Sequence, residues 1–367
     1  MGALHKPSVS VVVPTFQEAQ NLPFLIDRLA EVARTEGLRL DLAIMDDDSR
    51  DGSLELVQAR PESWVRLVVR SADHGLSQAA LDGLRRVAGE VLVCMDADLS
   101  HPPEAIPAML AKLAEGADFV IGSRYTEGGS TAHDWGFLRW LNSRVATWLA
   151  RPLTHVSDPM SGFFALRRQT FEAGSEFNPV GYKIGLELIV KCRCERVVEV
   201  PIHFDDRRFG ESKLTLRQQL LYLAHLWRLY SFKFGVWSPL AQFLVVGGLG
   251  TLVNLLLLTL LLAFDVPART SLAFAILAAM GGNFVISRRF SGALPTAESW
   301  PRQLARYAAA VLPGAVVNFL AASTALTRFP AWPPQAAALV GIAVGAAFNF
   351  TASRYLAFKA RHFRARR

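Results

Sequence analysis

The sequence predicts an α/β domain with a mostly parallel sheet, followed by an all-α domain of transmembrane helices. Three observations predict this. Short apolar runs alternate with amphipathic stretches through the N-terminal half. Charged residues, 19% of the chain, almost vanish from residues 240–264, 268–286, 304–326 and 336–358. Finally, an apolar run over 91–95 stops abruptly at Asp96-Ala97-Asp98. Such a run reads as a buried parallel strand, and the carboxyl ends of such strands are where α/β folds place ligands.

In chain order, residues 9–13, 40–45, 65–69, 91–95 and 119–122 read as strands. Helical patterns separate them over 21–37, with Asn21 as cap, and over 53–59, 76–88 and 103–115. Regular strand–helix alternation implies helices on both faces of a mostly parallel sheet. Residues 197–204 read as a late additional strand.

Polar residues follow each of the first five strands: Pro14-Thr15-Phe16-Gln17-Glu18, Asp46-Asp47-Asp48-Ser49, His74-Gly75-Leu76-Ser77, Asp96-Ala97-Asp98 and Ser123-Arg124-Tyr125. Each alone is an ordinary cap or turn. Five on one sheet edge describe a nucleotide-sized site. Carboxylates spaced i, i+2 suit a hard divalent cation, since Mg²⁺ takes one or two protein carboxylates together with substrate phosphates. No Gly-x-Gly-x-x-Gly follows the first strand, which argues against a dinucleotide dehydrogenase.

Each apolar stretch of the second half is roughly 20 residues, enough to cross a bilayer core. Arg288, Arg289, Arg302 and Arg306 crowd the middle loop, and Lys359, Arg361, Arg364, Arg366 and Arg367 crowd the tail. The other two loops hold only Arg269 and Arg328. The excess of Lys and Arg places the N-terminal domain, the middle loop and the C-terminus in the cytoplasm. The net charge of +7 then reads as a membrane-surface feature rather than a nucleic-acid footprint. Residues 1–13 lack the layout of a signal peptide. Cys94, Cys192 and Cys194 match neither a disulfide framework nor a zinc pattern, which fits a reducing cytosol.

The membrane half repeats itself. Phe243, Gly250, Val253 and Asn254 recur as Tyr307, Gly314, Val317 and Asn318; Asn283-Phe284-x-x-Ser287-Arg288 recurs as Asn349-Phe350-x-x-Ser353-Arg354. Two copies of one helical hairpin are expected. Gly247, Gly248, Gly281, Gly282, Gly341 and Gly345 would let its helices approach closely, and the asparagines would bond between helices. Residues 214–237 mix Leu, Tyr, Trp and Phe with Arg217, Arg228 and Lys233, the composition of helices lying in a membrane interface.

With these residues in view, Val12-Val13-Pro14-Thr15-Phe16-Gln17-Glu18, Met45-Asp46-Asp47-Asp48-Ser49-Arg50-Asp51-Gly52 and Met95-Asp96-Ala97-Asp98 resemble the nucleotide-sugar site of family 2 glycosyltransferases. His101-Pro102-Pro103-Glu104, Gly122-Ser123-Arg124-Tyr125, Asp158-Pro159-Met160-Ser161-Gly162-Phe163-Phe164 and Arg207-x-x-Gly210-Glu211-Ser212-Lys213-Leu214 resemble the dolichol-phosphate mannose synthase branch. The repeated hairpins resemble the GtrA-like membrane domain. The resemblance implies a GT-A catalytic domain over residues 1–213, interfacial helices over 214–237, a four-helix membrane domain over 238–360 and a basic tail over 361–367.

It also implies roles. Pro14, Phe16, Glu18 and Asp47 would hold base and ribose, with Met45 and Ala97 in the same nucleotide-sugar site. Asp96 and Asp98 would face the ribose and the diphosphate-bound metal, Mg or Mn, joined by Ser100 where the family often has Gln. Arg124, Arg139 and Arg207 would serve the donor, and Arg139, Ser212 and Lys213 the acceptor phosphate. Asp96, Asp98, Arg124, Arg207 and Lys213 form the expected catalytic set. The expected reaction is an inverting transfer of mannose from GDP-mannose to a polyprenyl, dolichyl-type monophosphate. Related synthases use UDP-glucose and undecaprenyl phosphate. The acceptor's second pKa is about 6 by analogy with phosphoamino acids, so it needs no strong base, and Asp158 reads as an orienting residue. A processive polysaccharide synthase is disfavoured, because Gln303-Leu304-Ala305-Arg306-Tyr307 imitates its Gln-x-x-Arg-Trp motif only between membrane spans. Spans almost free of charge favour anchoring and lipid delivery over a lipid-linked-sugar translocator.

Overall fold

A computed structural model describes residues 7–131, 137–181, 183–205, 216–235, 238–290 and 299–364. The chain divides into two units, Met1–Gly235 and Val236–Arg367. In the first, β1 (Ser8–Thr15), β2 (Arg39–Asp46), β3 (Val65–Val69), β4 (Val91–Cys94) and β5 (Phe119–Ser123) alternate with α1 (Leu22–Glu36), α2 (Ser53–Gln58), α3 (Leu76–Arg86) and α4 (Ile106–Ala114). Then come β6 (Ser130–Thr131), α5 (Phe137–Ala150), β7 (Phe164–Arg167), α6 (Arg168–Ala173), α7 (Ile184–Lys191), β8 (Val197–Pro201), β9 (His203–Phe204) and α8 (Leu216–Phe234).

The large sheet has the order β3-β2-β1-β4-β7-β5-β8, with β7 antiparallel to both neighbours. Strands β1 to β5 therefore end on one edge. The chain steps outward through β2 and β3, then returns to place β4 on the other side of β1. That reversal opens a crevice beyond the ends of β1 and β4, the switch point where open α/β sheets bind ligands. Both sheet faces are covered, which is why the strands are continuously apolar. Val9, Val11 and Val13 face α1 and α4, while Val12, Ala43 and Met45 face α3. Helix α1 buries Leu22, Leu25, Ile26, Leu29 and Val32 at helical spacing and ends at Gly37 in the left-handed conformation.

Several elements depart from the sequence reading. Residues 197–204 form two strands, because the chain leaves β5 after Pro201 and pairs with β6 instead. Strand β7 is an addition to that reading: its four residues begin at Phe164, the last residue of the Asp158–Phe164 motif, and wedge between β4 and β5. Helix α8 buries Tyr222, Leu226 and Leu229 against Ala150, Leu153, Met160, Leu186 and Val190. Beneath this cluster the buried Glu187 carboxylate of α7 lies 3.0 Å from both Lys191 Nζ and His225 Nε2, and the second contact ties α7 to α8.

The second unit holds α9 (Ser238–Ala263), α10 (Ala268–Phe290), α11 (Trp300–Arg328) and α12 (Pro334–Arg364). Among the described residues, Leu244–Ala263, Ala268–Arg288 and Trp300–Arg328 are long and apolar enough to span a bilayer, and Pro334–Asn349 is a shorter apolar stretch. Helices α9 and α10 pair, as do α11 and α12. The repeat is visible in the packing. Asn283 lies on Gly250, where a Cβ would stand 2.6 Å from its amide, and Asn349 lies on Gly314 in the same way. Gly341 and Gly345 fit against Asn318 as expected, but Gly247, Gly248, Gly281 and Gly282 have no neighbour within 4 Å among the described residues. A helix offers only one face to its partner, and in the first hairpin Gly250 occupies it.

Gly250→Val should therefore lower the melting temperature in detergent, with an overpacking cost of about 1–3 kcal/mol, whereas Gly247→Val should leave it unchanged. Equal effects of the two would refute this packing.

Burial opposes ionisation of Glu187, but bonds from His225, the Asn178 N–H and Lys191 outweigh it and hold its pKa below the usual carboxylate value. A depressed carboxylate stabilises the fold above its unfolded pKa of about 4.3, and that contribution disappears as pH falls through the folded value. Glu187→Gln should be less stable than wild type at neutral pH and lose less stability on acidification below about pH 4.5. Parallel stability–pH curves for the two proteins would show that the carboxylate is not under load.

Candidate active site

A cavity of about 1040 Å³ opens over the strand ends. Its floor holds Pro14, Phe16 and Glu18 after β1, Asp47 after β2, His74 and Gly75 after β3, Asp96, Ala97 and Asp98 after β4, and Arg124 after β5. All five strand-end clusters contribute. A second wall comes from α5 and α8, through Asn142, Val145, Leu149, Gln218, Tyr222 and Leu223. Tyr222 Oη donates to Ala146 O at 2.7 Å and holds these helices together.

The loops after β1 and β2 brace each other. Thr15 Oγ1 donates to Asp46 Oδ1 at 3.3 Å, and Gln17 N donates to Ser49 Oγ at 2.8 Å. Asp46 also accepts from Ser49 N at 2.9 Å, so this aspartate shapes the loop. Asp47 accepts from Gly75 N at 2.6 Å and pairs with buried Arg70, a partner no strand-end motif announced. Met45 is a correction. It alternates with Asp46 along β2, so its side chain turns from the cavity into the core and meets Gly83 of α3.

At the end of β4, Asp98 accepts from Ser100 N at 3.1 Å and from Ser100 Oγ at 2.5 Å. The fully buried Ser100 thus orients Asp98, the part it plays here in place of a ligand facing the cavity. Between them Leu99 takes φ 65°, and Gln17 across the crevice takes φ 62°, strained values for non-glycine residues. Such strain concentrates at functional sites. Asp96 keeps 29% of its side chain exposed. Its N–H donates to Nδ1 of buried His101 at 3.1 Å, so that nitrogen is an acceptor. Burial lowers the His101 pKa against the pull of Asp96 and Asp98, which favours the neutral ring required for this bond. The ring also stacks on Phe163.

Arg124 extends from β5 into a bidentate pair with Asp158, Nε–Oδ2 2.7 Å and Nη2–Oδ1 2.8 Å, while its own N–H reaches Oδ2 at 3.2 Å. Asp158 is wholly buried, and its backbone N–H is held by Glu199 at 3.0 Å. Burial works against the guanidinium charge, but Asp158 more than offsets it and raises the pKa. Arg124 also lies over Phe204 at 4.9 Å and Tyr125 at 5.3 Å. Of the remaining expected residues, Arg139 lies on α5 with its side chain outside the described residues, and Arg207, Ser212 and Lys213 fall outside them altogether. Among the described residues no three His, Cys, Asp or Glu side chains converge as a metal cluster, and Asp96 with Asp98 is a two-carboxylate set. Lys183, absent from every sequence motif, also lines the cavity.

Comparison with known proteins adds the family. Residues 10–174 match the model for glycosyl transferase family 2, and residues 242–359 match the GtrA/DPMS transmembrane domain. The chain is 37% identical over 317 residues to a dolichol-phosphate mannosyltransferase of Pyrococcus furiosus, covering 85% of this chain and 89% of that protein. The chain belongs to the dolichol-phosphate mannosyltransferase family. Proteins of the same name from Mycosarcoma maydis and Saccharomyces cerevisiae are 44% and 42% identical, over 65% and 62% of this chain and 84% and 88% of theirs. Glucosyl-3-phosphoglycerate synthase of Mycobacterium tuberculosis aligns at 20% identity with a TM-score of 0.48, over 62% of this chain and 80% of that one. That likeness is too distant to carry an argument. The first unit is accordingly a GT-A glycosyltransferase domain, as its mostly parallel seven-stranded sheet and its family require. The membrane domain and apolar helices make the chain an integral membrane protein.

In a glycosyltransferase of this family, Asp158→Asn should lower stability and turnover together, because removing one partner strands a buried charge. The expected loss of stability is about 3 kcal/mol. Denaturant unfolding beside a transfer assay measures both, and an unchanged unfolding midpoint would show that the pair does not support the fold.

Proposed function

We propose that this enzyme transfers mannose from GDP-mannose, with inversion, to a dolichyl-type polyprenyl monophosphate at the cytoplasmic face of the membrane. The observation that carries this reading is a single cavity with two kinds of wall. Charged strand ends line one side; the other is formed by α5 and α8, which leave Leu141, Val145, Trp148, Leu220 and Leu223 exposed, Val145 and Leu223 on the cavity wall itself. A polar nucleotide sugar fits the first wall, and an isoprenoid emerging from a bilayer surface fits the second. The relatives' names supply the sugar and the acceptor class, and the distribution of loop arginines supplies the orientation.

In this reading Pro14, Phe16, Glu18 and Asp47 hold base and ribose. The half-exposed Phe16 offers a stacking face. Asp96 and Asp98 would hold a divalent cation, Mg or Mn, and the donor set fits: hard carboxylate oxygens at the cavity floor, one of them oriented by Ser100. When bound, the cation would neutralise charge building on the departing diphosphate. Arg124 supplies fixed positive charge beside it, and Arg139, Arg207, Ser212 and Lys213 serve the phosphates. An acceptor phosphate oxygen attacks the anomeric carbon through an oxocarbenium-like state as the nucleotide diphosphate leaves. The acceptor already carries its negative charge, so no general base is needed. The membrane unit anchors the enzyme and concentrates lipid substrate.

The test uses purified full-length enzyme in neutral detergent with polyprenyl phosphate and, separately, labelled GDP-mannose and UDP-glucose. Label from GDP-mannose should enter the organic phase, chelation should stop it, and Asp98→Ala should abolish it while the protein stays folded. Labelling from UDP-glucose alone would overturn the donor, and transfer that survives chelation would overturn the cation.

A further inference from the structure

Lys183 belongs to none of the strand-end clusters. It stands at the N-cap of α7, with φ −111° and ψ 55°, on a wall of the same cavity as Asp96 and Arg124. Its Nζ donates to Met160 O at 3.0 Å.

Met160 belongs to two neighbourhoods at once. Its side chain packs with Leu153, Leu186, Tyr222 and Leu226, the cluster behind the α5 and α8 wall. Its backbone runs from Asp158, the partner of Arg124, to Gly162, where a Cβ would lie 3.1 Å from Asp96 Oδ1. On the other side of Lys183, Gly181 faces Gln218 and Leu221 of α8, at 3.7 and 3.9 Å from a Cβ position. The ammonium thus stands at the seam between the apolar wall and the carboxylate edge, whereas Phe16 and Asp47 belong to the ends of β1 and β2.

We infer that Lys183 holds the phosphate of the lipid acceptor where the apolar wall delivers it to the strand ends. This rests on the polyprenyl-phosphate reading above. A compact ammonium suits a terminal monophosphate that turns about a single bond, whereas a guanidinium fork demands one planar approach. The guanidinium of Arg124 is already committed to Asp158. The local field agrees with this use. Burial, and then Arg124, pull the Lys183 pKa to about 7, against Asp158 and Asp96. A phosphate dianion beside it restores the charged form.

The experiment compares full-length wild type, Lys183→Gln and Lys183→Arg in neutral detergent. Glutamine can still donate to Met160 O but carries no charge, so it separates electrostatics from the turn contact. Lys183→Gln should raise the KM for polyprenyl phosphate roughly ten- to hundred-fold, with GDP-mannose affinity by calorimetry changed less than about two-fold. Lys183→Arg should recover part of the loss. Inhibition by the uncharged polyprenol should be the same in wild type and Lys183→Gln, because it presents no phosphate. A parallel loss of GDP-mannose affinity would move Lys183 to the donor diphosphate and overturn the inference. An unchanged acceptor KM, whether or not the melting temperature falls, would overturn it too and leave Lys183 a structural residue. A wild-type enzyme that labels no polyprenyl phosphate from any donor defeats the underlying reading instead, before any variant is made.

Discussion

The buried pair of Arg124 and Asp158 is the interaction on which the site depends. It joins the end of β5 to the turn leading into β7, and everything that turn touches inherits its position. Ser161 Oγ donates to Gly122 O at 2.8 Å, Gly162 comes up under Asp96, and Met160 reaches both Lys183 and the α5–α7–α8 cluster. A bidentate, charge-assisted pair in a dry setting is directional as well as strong. Glu199 from β8 accepts the N–H groups of Ser157 and Asp158 at 2.8 and 3.0 Å, so the anchor is itself anchored to the sheet.

Around this fixed point the site is supported from behind. Ser100 aims Asp98, His101 holds the backbone of Asp96, and Arg70 with Gly75 holds Asp47. The residues at the cavity floor are therefore preorganised before any substrate arrives, which spares reorganisation during the reaction. Strained backbone at Gln17 and Leu99 flanks the same crevice. Its cost is borne by the packed strands β1 and β4 on either side.

The membrane unit follows a different economy. Between apolar helices there is no hydrophobic drive to associate, so close packing and polar contacts must do it. An asparagine laid on a glycine backbone, once in each hairpin, provides the close packing; the expected interhelical bonds are not seen at Asn254 Oδ1 or Asn283 Oδ1, which have no hydrogen-bond partner among the described residues. Repetition of the device explains why the two halves share Gly250 with Gly314 and Asn283 with Asn349.

The sequence by itself determined the first five strands, the clusters that follow them, the apolar helices and the family. These depend on local periodicity and on short contiguous motifs, which a chain displays without folding. Tertiary structure decided which members of a cluster face the cavity. Asp46 and Asp47 are adjacent, yet one braces a loop and the other meets Arg70; Met45 next to them belongs to the core, because alternate residues of a strand face opposite ways. Ser100 carries a ligand's chemistry, but an Asx-type turn spends its hydroxyl on Asp98. Lys183 was illegible, since it follows no strand and reaches the site only because α7 packs across the Met160 turn. Contacts between residues distant in sequence exist only once the chain has closed on itself, and no local pattern encodes them.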